Sequence, residues 1–236
     1  LPVILRLSTL FSIFSMKDLP LSRLVLSLFT AGILLFSGCS DSEPELVSAK
    51  GYVVFDFQDE TKTPSSRLAA FAEISSEVRR VSSIRVKNLS TDFEWNCLTP
   101  AIFSNDKKQW SGYAEFLSPD GMEIPSGIYD FFYADAQGKE VSSAFLISYD
   151  EKLAGSTAEK AVRLVQENSK EQYALYTEKN ILLYFGPKKQ NWTEDSKIFN
   201  FDKKADYYRK IYTGTNSSVV CIMPPVYKKT NSEANK

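Results

Sequence analysis

Ile124-Pro125-Ser126-Gly127-Ile128-Tyr129-Asp130-Phe131-Phe132-Tyr133-Ala134-Asp135-Ala136-Gln137-Gly138-Lys139 decides how this chain is read. Tyr129, Phe131 and Tyr133 sit at every second position, so a strand places three rings on one face. Ala136-Gln137-Gly138 then supplies a turn, with a glycine free to take φ > 0. Val141–Tyr149 follows with Val141, Phe145, Ile147 and Tyr149 on one face. The unit is strand, turn, strand. The same period of two extends back to Gly51. Val53, Phe55 and Phe57 share a face, and Val81, Ile84 and Val86 oppose Arg85 and Lys87. Phe93, Trp95 and Cys97 alternate with Glu94 and Asn96, and Tyr113–Leu117 runs into a Pro119-Asp120-Gly121 turn. Ser66–Arg79 is the odd piece: Leu68, Phe71, Ala72 and Val78 suit a short helix.

Short strands separated by Gly- and Asp-bearing turns predict a β-sandwich over residues 51–150. The 124–139 run is similar to the last hairpin of bacterial Ig-like and fibronectin-III-like modules. Arg85–Trp95 resembles an early strand pair of the same modules. The resemblance implies an antiparallel Ig-like sandwich with Trp95 as its core indole.

Residues 151–225 change character. Ser156-Thr157-Ala158-Glu159 reads as a capping box opening a helix, with Ala161, Leu164 and Val165 on its apolar stripe to about Asn168. Tyr173–Thr177 and Ile181–Phe185 flank Glu178-Lys179-Asn180, a short hairpin loop in which Asn180 suits the left-handed region. Val219–Met223 is a last apolar strand before Pro224-Pro225. The fold class is therefore mainly β with an α+β component. The smaller helix-plus-hairpin segment is either a second domain or an elaboration of the first sheet. Residues 226–236 read as a disordered tail.

The N-terminus reads as an address. Met16-Lys17-Asp18-Leu19-Pro20-Leu21-Ser22-Arg23 carries two cations, Leu24–Phe36 is uncharged and apolar, and Ser37-Gly38-Cys39 follows. Those are the three parts of a secretory signal over 16–38, and the apolar run falls short of the roughly 20 residues of a membrane span. Residues 1–15 read as a misassigned start. Leu35-Phe36-Ser37-Gly38-Cys39 resembles a bacterial lipobox, with Phe36 where Leu, Val or Ile is usual. The resemblance implies cleavage before Cys39, acylation of Cys39 and a membrane as partner. Ser40, in place of Asp, implies the outer rather than the inner membrane. Residues 39–50 read as an acidic tether.

The 236 residues carry 28 Lys+Arg against 29 Asp+Glu, a net charge of −1, and no histidine. Without a basic cluster in the folded part, nucleic acid is not the expected partner. Without histidine there is no Ser-His-Asp triad, Cys-His dyad or HExxH zinc site. No metal or cofactor is implied. Asp56, Asp59 and Glu60 cluster after a strand but lack EF-loop spacing, and turn chemistry accounts for Asp135. Ser104-Asn105-Asp106-Lys107 fits a Ser-x-x-Lys pattern yet reads as a polar loop. Cys97 and Cys221 lie in apolar runs and are either bridged or two separate buried thiols. Trp110, Trp192, Tyr207 and Tyr208 stand near polar residues. They are candidates for a platform stacking sugars or peptides, or are ordinary half-buried sheet aromatics.

The expectation is a lipid-anchored lipoprotein of the bacterial cell envelope acting as a non-catalytic binding or structural module. Its partner would be an envelope protein or a glycan. A carbohydrate-binding module requires several Trp or Tyr rings coplanar on one exposed face. A His-independent hydrolase requires a cleft with two carboxylates about 5–9.5 Å apart.

Overall fold

The computed structural model describes residues 44–75, 80–91, 93–118 and 122–229. The signal segment, Cys39 and the Pro119-Asp120-Gly121 turn lie outside the described residues. Alternating side chains resolve into β1 (Leu46–Asp56), β2 (Ser65–Ile74), β3 (Val81–Asn88), β4 (Glu94–Cys97), β5 (Ala101–Asn105) and β6 (Lys108–Leu117). After these come β7 (Gly127–Asp135), β8 (Glu140–Ile147), helix α1 (Ala158–Val165), β9 (Ser169–Tyr176) and β10 (Leu182–Gly186). A short helix α2 (Asp195–Phe199), β11 (Tyr207–Gly214), β12 (Val219–Ile222) and β13 (Val226–Tyr227) complete the order.

A nine-stranded sheet runs β10-β9-β11-β12-β1-β2-β6-β5, with β13 also on β11, and a four-stranded sheet runs β4-β3-β7-β8. Among the described residues every pairing is antiparallel except β1 with β12, which runs parallel from Val53↔Val219 to Asp56↔Ile222. One core joins both sheets. It takes Val53, Phe55 and Phe57 from β1 and its continuation, Leu68, Ala70, Ala72 and Ile74 from β2, and Ile84 and Val86 from β3. The three rings of the opening hairpin, Tyr129, Phe131 and Tyr133, are all fully buried in it. Trp95 is nearly buried and donates its indole N–H to the Leu117 carbonyl at 2.8 Å. The Asp135 carboxylate accepts the amides of Gln137 and Lys139, closing the turn at Gly138 (φ +81°).

The structure corrects several expectations. Within β1–β8 every strand pair is antiparallel, as expected for 51–150, but β12, from beyond that range, inserts beside β1 in parallel and makes the large sheet mixed. Ser66–Ile74 is strand, not helix: Leu68, Ala70, Ala72 and Ile74 alternate, and that set fits the flat face of a sheet. The helix, hairpin and last strand of 151–225 elaborate the large sheet through β11 and β12. Strand β1 starts at Leu46, inside the acidic stretch, and Val226–Tyr227 pairs with β11 inside the expected tail. In α1 the Ser156 hydroxyl donates to the Lys152 carbonyl and Thr157 occupies the N-cap, so no capping box forms. Leu164 points outward at 40 % exposure while Ala158, Ala161 and Val165 are buried. Asn180 takes φ +59° in the β9–β10 loop, as its position in the sequence suggests.

Candidate functional site: the outer aromatic face of the large sheet

Period two gives the nine-stranded sheet two faces. One meets the core. The other carries Lys50 and Tyr52 on β1, Arg67, Phe71 and Glu73 on β2, Trp110 on β6, and Arg209 and Tyr207 on β11. Lys50 is exposed and the others are partly buried, with the Arg67, Glu73 and Arg209 side chains mostly covered. Registers Leu182↔Tyr176, Tyr176↔Tyr207 and Tyr207↔Tyr227 align one residue from each of β10, β9, β11 and β13 in a single row. Tyr176 and Tyr207 stack at 5.0 Å with planes 15° apart, and Tyr227 leans on Tyr207 at 5.5 Å. The Tyr207 hydroxyl donates to Asn180 Oδ1 at 2.9 Å, which fixes the ring from the β9–β10 loop. Burial pushes the Tyr207 hydroxyl pKa up, with the neighbouring Tyr176 adding to it, so that hydroxyl keeps its proton at ordinary pH. Leu182 and Tyr227 end the row at 52 % and 61 % exposure. Phe185, equally exposed, pairs with Ala174, two residues along β9 from Tyr176.

A charged seam crosses the same face. Asp56 accepts from Arg209 Nη2 at 2.6 Å and faces Arg67 Nη1 at 3.4 Å, and Arg67 also pairs with Glu115 at 3.1 Å. This accounts for Asp56 as a structural acid. Asp59 accepts from the amide and hydroxyl of Thr61, a turn that holds its carboxyl below the usual range. Among the described residues no group of three or more Cys, Asp or Glu is placed to hold a metal ion.

The four aromatics singled out by sequence do not converge. Tyr207 belongs to the row. Trp110 shares its sheet face but lies at the other end, parallel to Phe103 (8°, 6.4 Å) with the Lys50 ammonium 5.9 Å from its ring. Trp192 and Tyr208 are buried on the opposite face, in a small core with Tyr173, Leu175, Ile198, Phe199 and Ala205. They are therefore packing residues, not a platform. Sequence reasoning missed Tyr176 and Tyr227. A signal was present for Tyr176, in a strand flanking the Asn180 loop. None existed for Tyr227, whose partner strand is remote in sequence.

Beside that small core lies a groove of about 540 Å³ between α1 and β11, lined by Glu159, Arg163, Lys210, Tyr212 and Met223 among others. Glu171 accepts from the hydroxyls of Tyr173 and Tyr212, and Asp195 from that of Tyr208. Burial, reinforced by Glu171, raises Tyr212 to about 12 and pushes Tyr173 up as well, and burial with Asp195 does the same to Tyr208. Carboxylates so placed hold tyrosine protons rather than release them. Ser104 lies on β5 and Lys107 in a turn at φ +66°, so the Ser-x-x-Lys spacing does not sit on a helix start.

Cys97 and Cys221 are free and buried, on β4 of the small sheet and β12 of the large one. The bridge left open by the sequence is thus not formed. Burial pushes the Cys221 thiol up to about 12. In a Cys39→Ala chain, a thiol reagent at pH 8 is expected to leave both unmodified until denaturant is added. Rapid labelling of the folded protein would contradict this burial.

No family model matches the chain, and no curated protein matches it. Among the described residues no helix is long and apolar enough to cross a membrane.

Proposed function

We propose that the chain is a lipid-anchored cell-envelope lipoprotein, held at the outer membrane by acylated Cys39. It works as a non-catalytic module that binds a protein partner through its tyrosine row. The observation carrying this reading is the location of the row. Asp56, Ile222 and Ile211 share a register row ten residues up β1 from Leu46, and Tyr207 lies four residues beyond Ile211. At ~3.3 Å per residue the tyrosines sit about 45 Å along the strands from the tethered end, before twist and curl shorten the path. The row thus lies toward the end of the large sheet opposite the attachment of the tether, where a partner can reach it.

Ring geometry favours a protein over a glycan. A sugar platform needs open ring faces, and Tyr207 is covered by Tyr176 on one side and Tyr227 on the other. The row is left as a stacked, partly exposed aromatic ridge bearing hydroxyls, the kind of amphipathic anchor common at protein interfaces. An Ig-like ancestry is part of the proposal. It is supported by the Tyr129 hydroxyl, which donates 2.6 Å back to the Pro125 carbonyl in the manner of a tyrosine corner.

Intact mass of the membrane-fraction protein, beside Cys39→Ala, tests the anchor. The expected species starts at Cys39, carries acyl mass and is absent from the variant. A photo-crosslinker at Tyr227 tests the face: one discrete protein adduct is expected, lost in Tyr207→Ala and kept in Glu115→Ala. An uncleaved or unacylated chain sinks the anchor. Retention on envelope polysaccharide that Tyr207→Ala abolishes would transfer the role to a glycan.

A further inference from the structure

We infer that the β5–β6 hairpin is a second membrane contact, seated in the lipid interface beside the anchor; this rests on acylation of Cys39. Residues 101–109 are exposed without interruption, and they include Ile102 (44 %) and Phe103 (43 %). These two are adjacent on a strand, so they project from opposite faces of the sheet. A protein partner laid on one face would cover one of them. A lipid interface receives both. Trp110 on β6 pairs with Phe103 in the register and lies parallel to its ring, adding the residue type that favours the boundary between headgroups and acyl chains.

The tip is shaped for this. Asp106 and Lys107 take φ +49° and +66°, a tight two-residue connection of the hairpin type. Lys107 is exposed there; Lys108, also exposed, pairs with Glu73 at 2.9 Å, and Lys50 stands beside Trp110. Lysine stems run along apolar surface while their ammonium groups reach phosphates.

Chain length brings the bilayer to this place. The pairs Leu46↔Ile74 and Ile74↔Gln109 put the start of β1, the end of β2 and the start of β6 in one row. Two inter-strand spacings, about 10 Å, separate Leu46 from Gln109. The Ser75 amide donates to the Glu45 carbonyl, so pairing persists to the level of the tip. Cys39 and Leu46 are seven residues apart in sequence, a span of at most about 25 Å when extended. A membrane holding Cys39 is therefore within reach of the hairpin.

The test uses the full chain, expressed in its native host, isolated from membranes and returned to phosphatidylethanolamine–phosphatidylglycerol vesicles, with and without brominated acyl chains. Trp95 and Trp192 are buried, so Trp110 is the indole near lipid. Tryptophan emission is expected to fall on bromination. The loss should disappear in Trp110→Phe and weaken about twofold in Ile102→Ser/Phe103→Ser, with the fold retained and melting lowered only by the loss of the Phe103 contacts to Phe71 and Trp110. Intact mass is read on the same samples. Acyl mass without bromine-dependent quenching overturns the hairpin contact and leaves the anchor standing, as does a hairpin found instead in a protein crosslink. Absence of acyl mass overturns the anchor first and this contact with it.

Discussion

Arg209→Ala is expected to cost about 3 kcal/mol of unfolding free energy or more, a loss typical of breaking a buried charge pair from one side. Arg209 sits on β11, and its side chain is 13 % exposed. Its Nε donates to the Met223 carbonyl at 2.7 Å. Its Nη2 donates to Asp56 at 2.6 Å and to the Phe57 carbonyl at 2.8 Å. β11 and β1 are not neighbours, since β12 stands between them. One guanidinium therefore ties the C-terminal strands to the first strand across the parallel junction. Truncation leaves Asp56, itself 13 % exposed, with Arg67 at 3.4 Å and the Gln58 amide. It also strips two backbone carbonyls of a donor, and each such loss near the interior costs on the order of 1–3 kcal/mol. Arg209→Lys should recover part of the loss: it keeps the charge but cannot present the planar fork that three acceptors require. Arg163→Ala is the contrast, because its pair with Glu159 is about 70 % exposed on both sides and within one helix. Its removal should change stability by less than about 0.5 kcal/mol. Urea unfolding of the three variants measures all of this. Equal small losses for Arg209→Ala and Arg163→Ala would mean that β12 alone holds the junction.

The same junction marks where sequence reading stopped. Alternation was legible wherever one face is buried and the other wet, so β1, β3, β4, β7 and β8 were read correctly from Val53, Ile84, Trp95, Tyr129 and Phe145. β2 was misread because its core face alternates leucine, alanine and isoleucine, while Phe71 on the wrong face imitated a helical stripe. Phe71 is there for a local reason: its ring lies across Gly112, where an added Cβ would come within 2.2 Å of it. Pairing between distant strands leaves no mark in a single sequence. The parallel β1–β12 contact, the merger of 151–225 into the large sheet and the meeting of Tyr176, Tyr207 and Tyr227 all depend on it. The candidate site was thus half legible, as aromatic residues near polar ones, and its grouping was not. Trp192 and Tyr208 show why. Residues that look alike by composition are divided by the sheet's two faces, and strand register decides which face each one takes.

Gly51→Val is expected to destabilise the fold by about 3 kcal/mol, as overpacking a filled core does. The sign is informative, because valine is a better strand residue than glycine and on an open sheet would raise stability. Gly51 lies on the core face of β1, where β1 passes β8 without pairing to it. An added Cβ would stand 2.1 Å from Phe145 Cε2 and 2.7 Å from Cδ2. The ring has little room to give. Phe145 is 7 % exposed and stacks on Tyr129 at 5.5 Å and 16°, and Tyr129 in turn stacks on Trp95. The large sheet curls toward the small one at this corner, where Ser218 donates its amide to the Ser148 carbonyl and its hydroxyl to the Leu146 carbonyl. Glycine is what lets the two sheets close there. Phe145→Ala alone should cost about 3–4 kcal/mol through the cavity it leaves. If the clash is the cause, the double variant loses less than the sum of the two, by at least about 1 kcal/mol, because each change relieves the other. Additive losses in a thermal or urea double-mutant cycle would instead place the cost of Gly51→Val in the backbone of β1, and the glycine would owe its position to strand geometry rather than to the closing of the corner.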